Sequence, residues 1–122
     1  MFEGVSQNST GAMDITLGDA GGLESAGYDS TSMNIKSDVD IATLESTAEF
    51  IVNTATAAYA VSGTMALSLK DSANFTWVAT HNVFNGNDLI LGSGVKSLSA
   101  ELTQVSVSGG TFDAGSINVM YQ

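Results

Sequence analysis

The chain has no cysteine and no proline among its 122 residues, no arginine among its three basic side chains, and one histidine, His81. Each absence removes a class of chemistry. Without cysteine there is neither a disulfide framework nor a thiolate metal site, and thiols say nothing of the redox compartment. A lone histidine rules out a two-histidine metal site or a His-based acid–base dyad within one chain. Three lysines against thirteen carboxylates give a formal net charge of −10. Nucleic-acid binding and adhesion to anionic membranes both depend on basic side chains, so neither partner is expected. The acidity favours solubility and attraction to a basic partner or to cations. Met1 is not followed by a basic segment and an apolar core, so no secretory leader is expected. Residues 50–69 are uncharged, but they are rich in Thr, Ser, Asn and Ala and alternate with period two from Tyr59 to Leu69, which argues against a membrane span. The absence of proline in a chain with so many turns has no evident physical reason.

What remains is the material of one small domain, with an expected radius of gyration of about 14 Å and roughly two-thirds of its unfolded surface buried. Gly4, Gly11, Gly18, Gly21, Gly22 and Gly27 lie among Ser, Asn, Asp and Thr. Residues 1–30 therefore read as a flexible or partner-ordered N-terminal arm, with one short strand over Ala12–Leu17. Residues 31–122 read as the folded domain. Met33, Ile35, Val39 and Ile41 share one parity; so do Tyr59, Val61, Met65, Leu67 and Leu69, and then Phe75, Trp77, Ala79, His81 and Val83. Such alternation is that of half-buried strands. Asn85-Gly86 between two alternating runs predicts a hairpin, because both residues tolerate positive φ. Leu98, Ala100 and Leu102 are even whereas Val105 and Val107 are odd, which predicts a bulge near Thr103 or Gln104. Turns are expected at Gly109-Gly110 and over Asp113–Gly115, before a last strand carrying Ile117, Val119 and Tyr121. Residues 42–58 have near-helical apolar spacing, yet their β-branched content favours a strand at Glu49–Thr54. The pattern predicts an all-β fold, an antiparallel β-sandwich or jelly-roll-like arrangement, with Trp77, Phe75, Tyr59, Leu67 and Leu69 as its core.

A search for catalysis yields little. No G-x-S-x-G elbow, Walker loop or G-x-G-x-x-G occurs, and the many Ser and Thr residues lack a second base. His81, on the apolar parity of its strand, reads as a structural histidine. No catalytic, cofactor or metal residue is assigned, and the chain is not expected to be an enzyme. Asp38 and Asp40 project from one strand face and can chelate a hard cation such as Ca²⁺; Asp113, or Asp88 with Asn85 and Asn87, can lend turn oxygens. Solvated surface charge is the preferred reading of all of them. Asn8-Ser9-Thr10 and Asn74-Phe75-Thr76 fit the N-glycosylation pattern, which is short enough to arise by chance.

The C-terminal half resembles the small virion proteins of tailed bacteriophages. Trp77 with its following hairpin, GVKSLSAELTQVSVSG at 94–109 and GTFDAGSINVMY at 110–121 carry the likeness, which covers about half the chain through loose motifs. The resemblance implies an outer capsid decoration protein, commonly a homotrimer, made in the bacterial cytoplasm and bound to the major capsid protein at capsomer junctions. Such a protein needs no active site, because many copies act together through buried surface. With no arginine to anchor an interface, Phe2, Phe84, Phe112, Met120 and Tyr121 are the interface candidates. A tail, neck or fibre component is the first alternative. A carbohydrate-binding sandwich is the second, and it requires Trp77 or Tyr28 on the surface.

Overall fold

The computed structural model describes every residue except Thr10, Ala58 and Gln122. Among the described residues there are eleven strands and no helix: β1 (Phe2–Gln7), β2 (Ala12–Asp19), β3 (Gly22–Leu23), β4 (Tyr28–Ile35), β5 (Ile41–Ser46), β6 (Phe50–Asn53), β7 (Val61–Asp71), β8 (Thr76–Phe84), β9 (Leu89–Ser97), β10 (Gln104–Ser108) and β11 (Phe112–Ile117). Seven of them pair antiparallel in the order β11-β1-β7-β8-β9-β4-β5. The second sheet is built on β2, with β10 along one edge and β6 and β3 along the other. The two sheets form an antiparallel β-sandwich, as the alternation predicts.

The three cleanest alternating runs become the meander β7-β8-β9. Its hairpin pairs Phe84 with Leu89 across the Asn85–Asp88 loop. There Gly86 takes φ +93°, and the Asn85 side-chain oxygen accepts the Asn87 and Asp88 N–H groups at 3.1 and 2.8 Å. Residues 42–58 contain β5 and β6 rather than a helix, with Ala58 outside the described residues.

Residues 1–30, expected as an arm, are instead structural. They supply β1, β2, β3 and the start of β4, and Phe2, Val5, Met13, Ile15, Leu17 and Tyr28 all enter the core. Their glycines mislead because they serve turns and a bulge inside paired strands: at Gly4 (φ +59°) β1 shifts register between its Phe2 and Val5 pairings.

The centre of the core is Phe50, with Met13, Leu17, Ile90, Val52, Val61 and Val83 fully buried around it. Phe75, Trp77, Leu67 and Tyr59 are only half-buried, and Leu69 is exposed. The expected core was thus displaced. The smaller sheet lies over β4 and β9 rather than over the far ends of β7 and β8. Room for it comes from β9: a Cβ at Gly94 would stand 2.8 Å from the Phe50 ring, and one at Gly92 2.1 Å from the His81 ring.

Polar groups of β4 tie the layers together. Ser30 and Ser32 accept the Ile51 and Asn53 backbone N–H groups of β6 at 3.1 and 3.0 Å. Tyr28 stands edge-on to Phe50, with ring centroids 5.0 Å apart, and its hydroxyl accepts the Leu17 N–H at 2.8 Å. A hydroxyl that receives an otherwise orphaned N–H removes a desolvation penalty of about 1–3 kcal/mol.

Two further expectations are corrected. The parity switch near Thr103 is not a bulge: the chain leaves β9 at Ser97, crosses between sheets and enters β10 at Gln104. Asp113–Gly115 is not a turn but lies within β11, where Gly115 (φ +86°) packs against the Gly4 backbone.

Candidate functional site: the open face and one end of the sandwich

Strand alternation puts half the residues of the seven-stranded sheet on a face that no other part of the described chain covers. Register fixes which residues meet there. Ile35 pairs with Ile41 on one side and Leu89 on the other, and Leu89 pairs with Phe84. Ile41, Ile35, Leu89 and Phe84 therefore form one cross-strand row. Met33 and Leu91, themselves paired, start the next row. Four of the six are exposed by 36–56 %, and Ile35 and Leu91 are half-buried. Strands lie about 4.8 Å apart, so the row of four spans roughly 15 Å. Single exposed apolar residues need no explanation, but a contiguous patch marks a surface made to be covered.

The interface candidates fall in different places. Phe84 lies in the row. Phe112 lies on the exposed edge strand β11, and Met120 and Tyr121 lie beyond it in a tail where Tyr121 is 96 % exposed. Phe2 is 5 % exposed and belongs to the core, so it cannot serve as an interface anchor. Its position in β1, which pairs with both β11 and β7, draws it inward.

The inner face of the same sheet carries the buried titratable side chains His81 and Lys96. His81 is buried and close to Ser32, with Oγ 3.0 Å from Nε2. Ser32 already accepts the Asn53 N–H, so its own proton is free to be donated to the imidazole. Burial lowers the His81 pKa to about 4, so the ring is neutral at pH 7. The pair has the elements of a nucleophile and base, but Ser32 is fully buried and no substrate can meet it. Its role is to join β4, β6 and β8.

Lys96 is also buried on this face. Its ammonium donates to Glu24 at 2.5 Å and to the Ala26 carbonyl at 2.8 Å, and lies 5.2 Å from the Tyr28 ring centroid. The Lys96 hydrogen bond, then that from the Ser99 backbone, holds the Glu24 carboxyl below the usual range. This fixes the loop between β3 and β4, part of the segment expected to be flexible. Tyr28 itself is buried and Trp77 half-buried, so Tyr28 cannot be the surface aromatic of a sugar site.

At the β8–β9 hairpin end, between the layers, lies a cleft of about 790 Å³. Asn34, Asp88, Asn53, Lys36, Leu44 and Tyr59 are among the residues that line it. Sequence reasoning missed it because Asn34, in an alternating strand, reads as a solvent-facing residue. Among the described residues no three carboxylate or histidine side chains gather into a metal-holding group, and no helix is long and apolar enough to cross a membrane. Asp38 is exposed, and Asp40 is engaged by Lys36 at 2.8 Å. Thr10 of the Asn8 sequon lies outside the described residues.

Comparisons with protein-family models, with curated proteins and with solved structures find no match to this chain.

Proposed function

We propose that this protein is an assembly module, and specifically a virion structural protein that decorates the outer surface of a phage head by docking its open sheet face at capsomer junctions. The observation that carries this reading is the two-row apolar cluster of Ile41, Ile35, Leu89, Phe84, Met33 and Leu91 on a face left bare within the chain. The likeness of residues 77–121 to phage virion proteins supplies the choice of particle. The partner is the major capsid protein, the working form a homotrimer, and the place of action the capsid surface after synthesis in the host cytoplasm. A net charge of −10 keeps free copies apart until a complementary surface is met. No catalytic step and no cofactor enter the reading.

The test is co-sedimentation with assembled heads of the tailed phage whose genome encodes this chain, together with native mass measurement. Saturable binding, a trimer mass and raised heat resistance of the heads are expected, and Phe84→Ser with Ile41→Ser should abolish the binding. A strict monomer that neither binds the heads nor changes their heat resistance defeats the proposal. Cryo-EM density at the tail or neck would move the protein to that part of the particle.

A further inference from the structure

The cleft at the hairpin end reaches a free edge of the seven-stranded sheet. Ala42, Thr43 and Leu44 of β5 all line it. Successive side chains of a strand point to opposite faces, so a cavity touching three in a row runs along the strand's edge. β5 pairs with β4 with no shift of register, and no strand lies on its other side among the described residues. It carries no lysine or proline, and Glu45 is its one charge. Such an edge offers unpaired N–H and C=O groups that an extended chain can match, while a flanking pocket takes its side chains. Ala55 and Tyr59 stand on the cleft wall for that purpose. β11, the opposite edge, is blunted: its pairing with β1 shifts register twice, and Asp113 lies on it.

The molecule also carries a segment suited to that edge. Asn118 donates its N–H to the Met1 carbonyl at 2.9 Å and accepts the Met1 amino group at 2.8 Å. Beyond it Val119, Met120 and Tyr121 are 67, 75 and 96 % exposed, and they make no hydrogen bond among the described residues. These three large apolar residues equal in number the three of β5 that line the cleft, and they bring no charge toward Glu45 or Asp38. A two-fold pairing of β5 with itself would instead bring two Glu45 carboxylates to one seam. Nor can the segment fold back into its own cleft. β11 and β5 are six strand spacings apart, about 29 Å, whereas three residues span at most about 11 Å.

We propose that copies of this chain join head to tail, residues 119–121 of one adding as a short strand to β5 of the next, with side chains seated in its cleft. The contact is heterologous and closes into a ring. It rests on the proposed function for the number of copies, three, and it leaves the open-face row free to dock. Each contact covers on the order of 400 Å² of tail, against roughly 800 Å² per partner in a stable interface. One contact alone is therefore weak, and the closed ring holds through several at once.

The experiment is native mass measurement and thermal melting of the full chain and two variants. The parent should be a trimer. Met120→Ser with Tyr121→Ser should weaken association by about a hundredfold or more, giving a monomer that still melts cooperatively. Leu44→Glu should do the same from the other side of the contact. The isotope-labelled tail variant keeps its cleft and the Leu44→Glu variant keeps its tail, so mixing them should give saturable amide shifts at Ala42, Thr43 and Leu44. The inference is overturned if the tail variant keeps the trimer mass, if the mixture gives no shifts, or if added salt dissolves the trimer, which would make the contact one of charge. Should Leu44→Glu fail to fold, the tail variant decides alone, because its substituted residues are exposed. A parent monomer that still binds phage heads through Phe84 overturns this inference and leaves the docking face standing. A tail-dependent trimer that ignores the heads does the reverse.

Discussion

The two faces of the seven-stranded sheet carry similarly apolar residues at adjacent positions but meet opposite surroundings. On the inner face one cross-strand row reads Val83, Ile90, Asn34 and Ala42; on the outer face the neighbouring row reads Phe84, Leu89, Ile35 and Ile41. The covered row hides a carboxamide with no partner among the described residues, while the uncovered row presents four large apolar side chains. A sheet shaped by its own folding alone would keep the covered Val83 and Ile90, replace Asn34 with an apolar residue and put polar residues on the uncovered row. The difference teaches that apolar character along this sheet does not report burial. Near the hairpin end, one row hides the Asn34 carboxamide and the other presents Phe84 and Leu89 to solvent.

Substitutions that treat the faces alike should show how differently they count. Phe50→Ala in the core should cost about 3–5 kcal/mol of stability, read by urea unfolding, because it leaves a cavity where both sheets and Tyr28 meet. A retained midpoint would mean that the layers are not packed through Phe50.

Acid should come next. The unfolded imidazole titrates near 6.5 and that of folded His81 at about 4, so between those values the unfolded chain binds more protons. Stability is whole above pH 6.5 and should fall by at most about 3 kcal/mol on acidification to pH 4. Glu24, held low by Lys96, adds a further loss as the pH drops below 4.5 and through its folded value. His81→Leu should flatten the pH 6.5–4 slope, and an unchanged slope would assign it to other groups.

Ser32→Ala should cost about 1–3 kcal/mol, because it orphans the buried Asn53 N–H and removes the contact to His81. Smallest of all is Phe84→Ser on the open face, expected within about 0.5 kcal/mol of the parent in unfolding. Its effect belongs to docking. A large loss of stability there would show that the outer row is structural and would remove the contrast between the faces.

Much of the fold was legible in the residues. The alternating runs at 61–69 and 75–83 and the Asn85-Gly86 turn name β7, β8 and their hairpin with little ambiguity, because a period of two and a glycine at positive φ are local properties. The N-terminal strands were not legible. Gly4, Gly11 and Gly22 look like an arm unless the pairing partners of β1 and β2 are known, and those partners lie far away in sequence. The core was misplaced for a related reason: parity tells which residues share a face, not how far the facing sheet extends. Trp77 and Leu69 share the core's parity but lie toward its uncovered end, whereas Phe50 sits over Gly94 at the centre.

Of the candidate sites, Phe84 was visible as a large apolar residue at a hairpin, but the row it joins was not. Its members come from β4, β5, β8 and β9, and only the register aligns them. Asn34 gave no signal at all. The sequence by itself determined the β class, the charge and the exclusion of thiol and two-histidine chemistry, since these depend on composition and on backbone geometry repeated every two residues. Only the tertiary structure decided which face of each strand was covered, made core from an apparent arm and left a buried amide unpaired. Those outcomes follow from long-range pairing and from the limited reach of a four-stranded layer over a seven-stranded one.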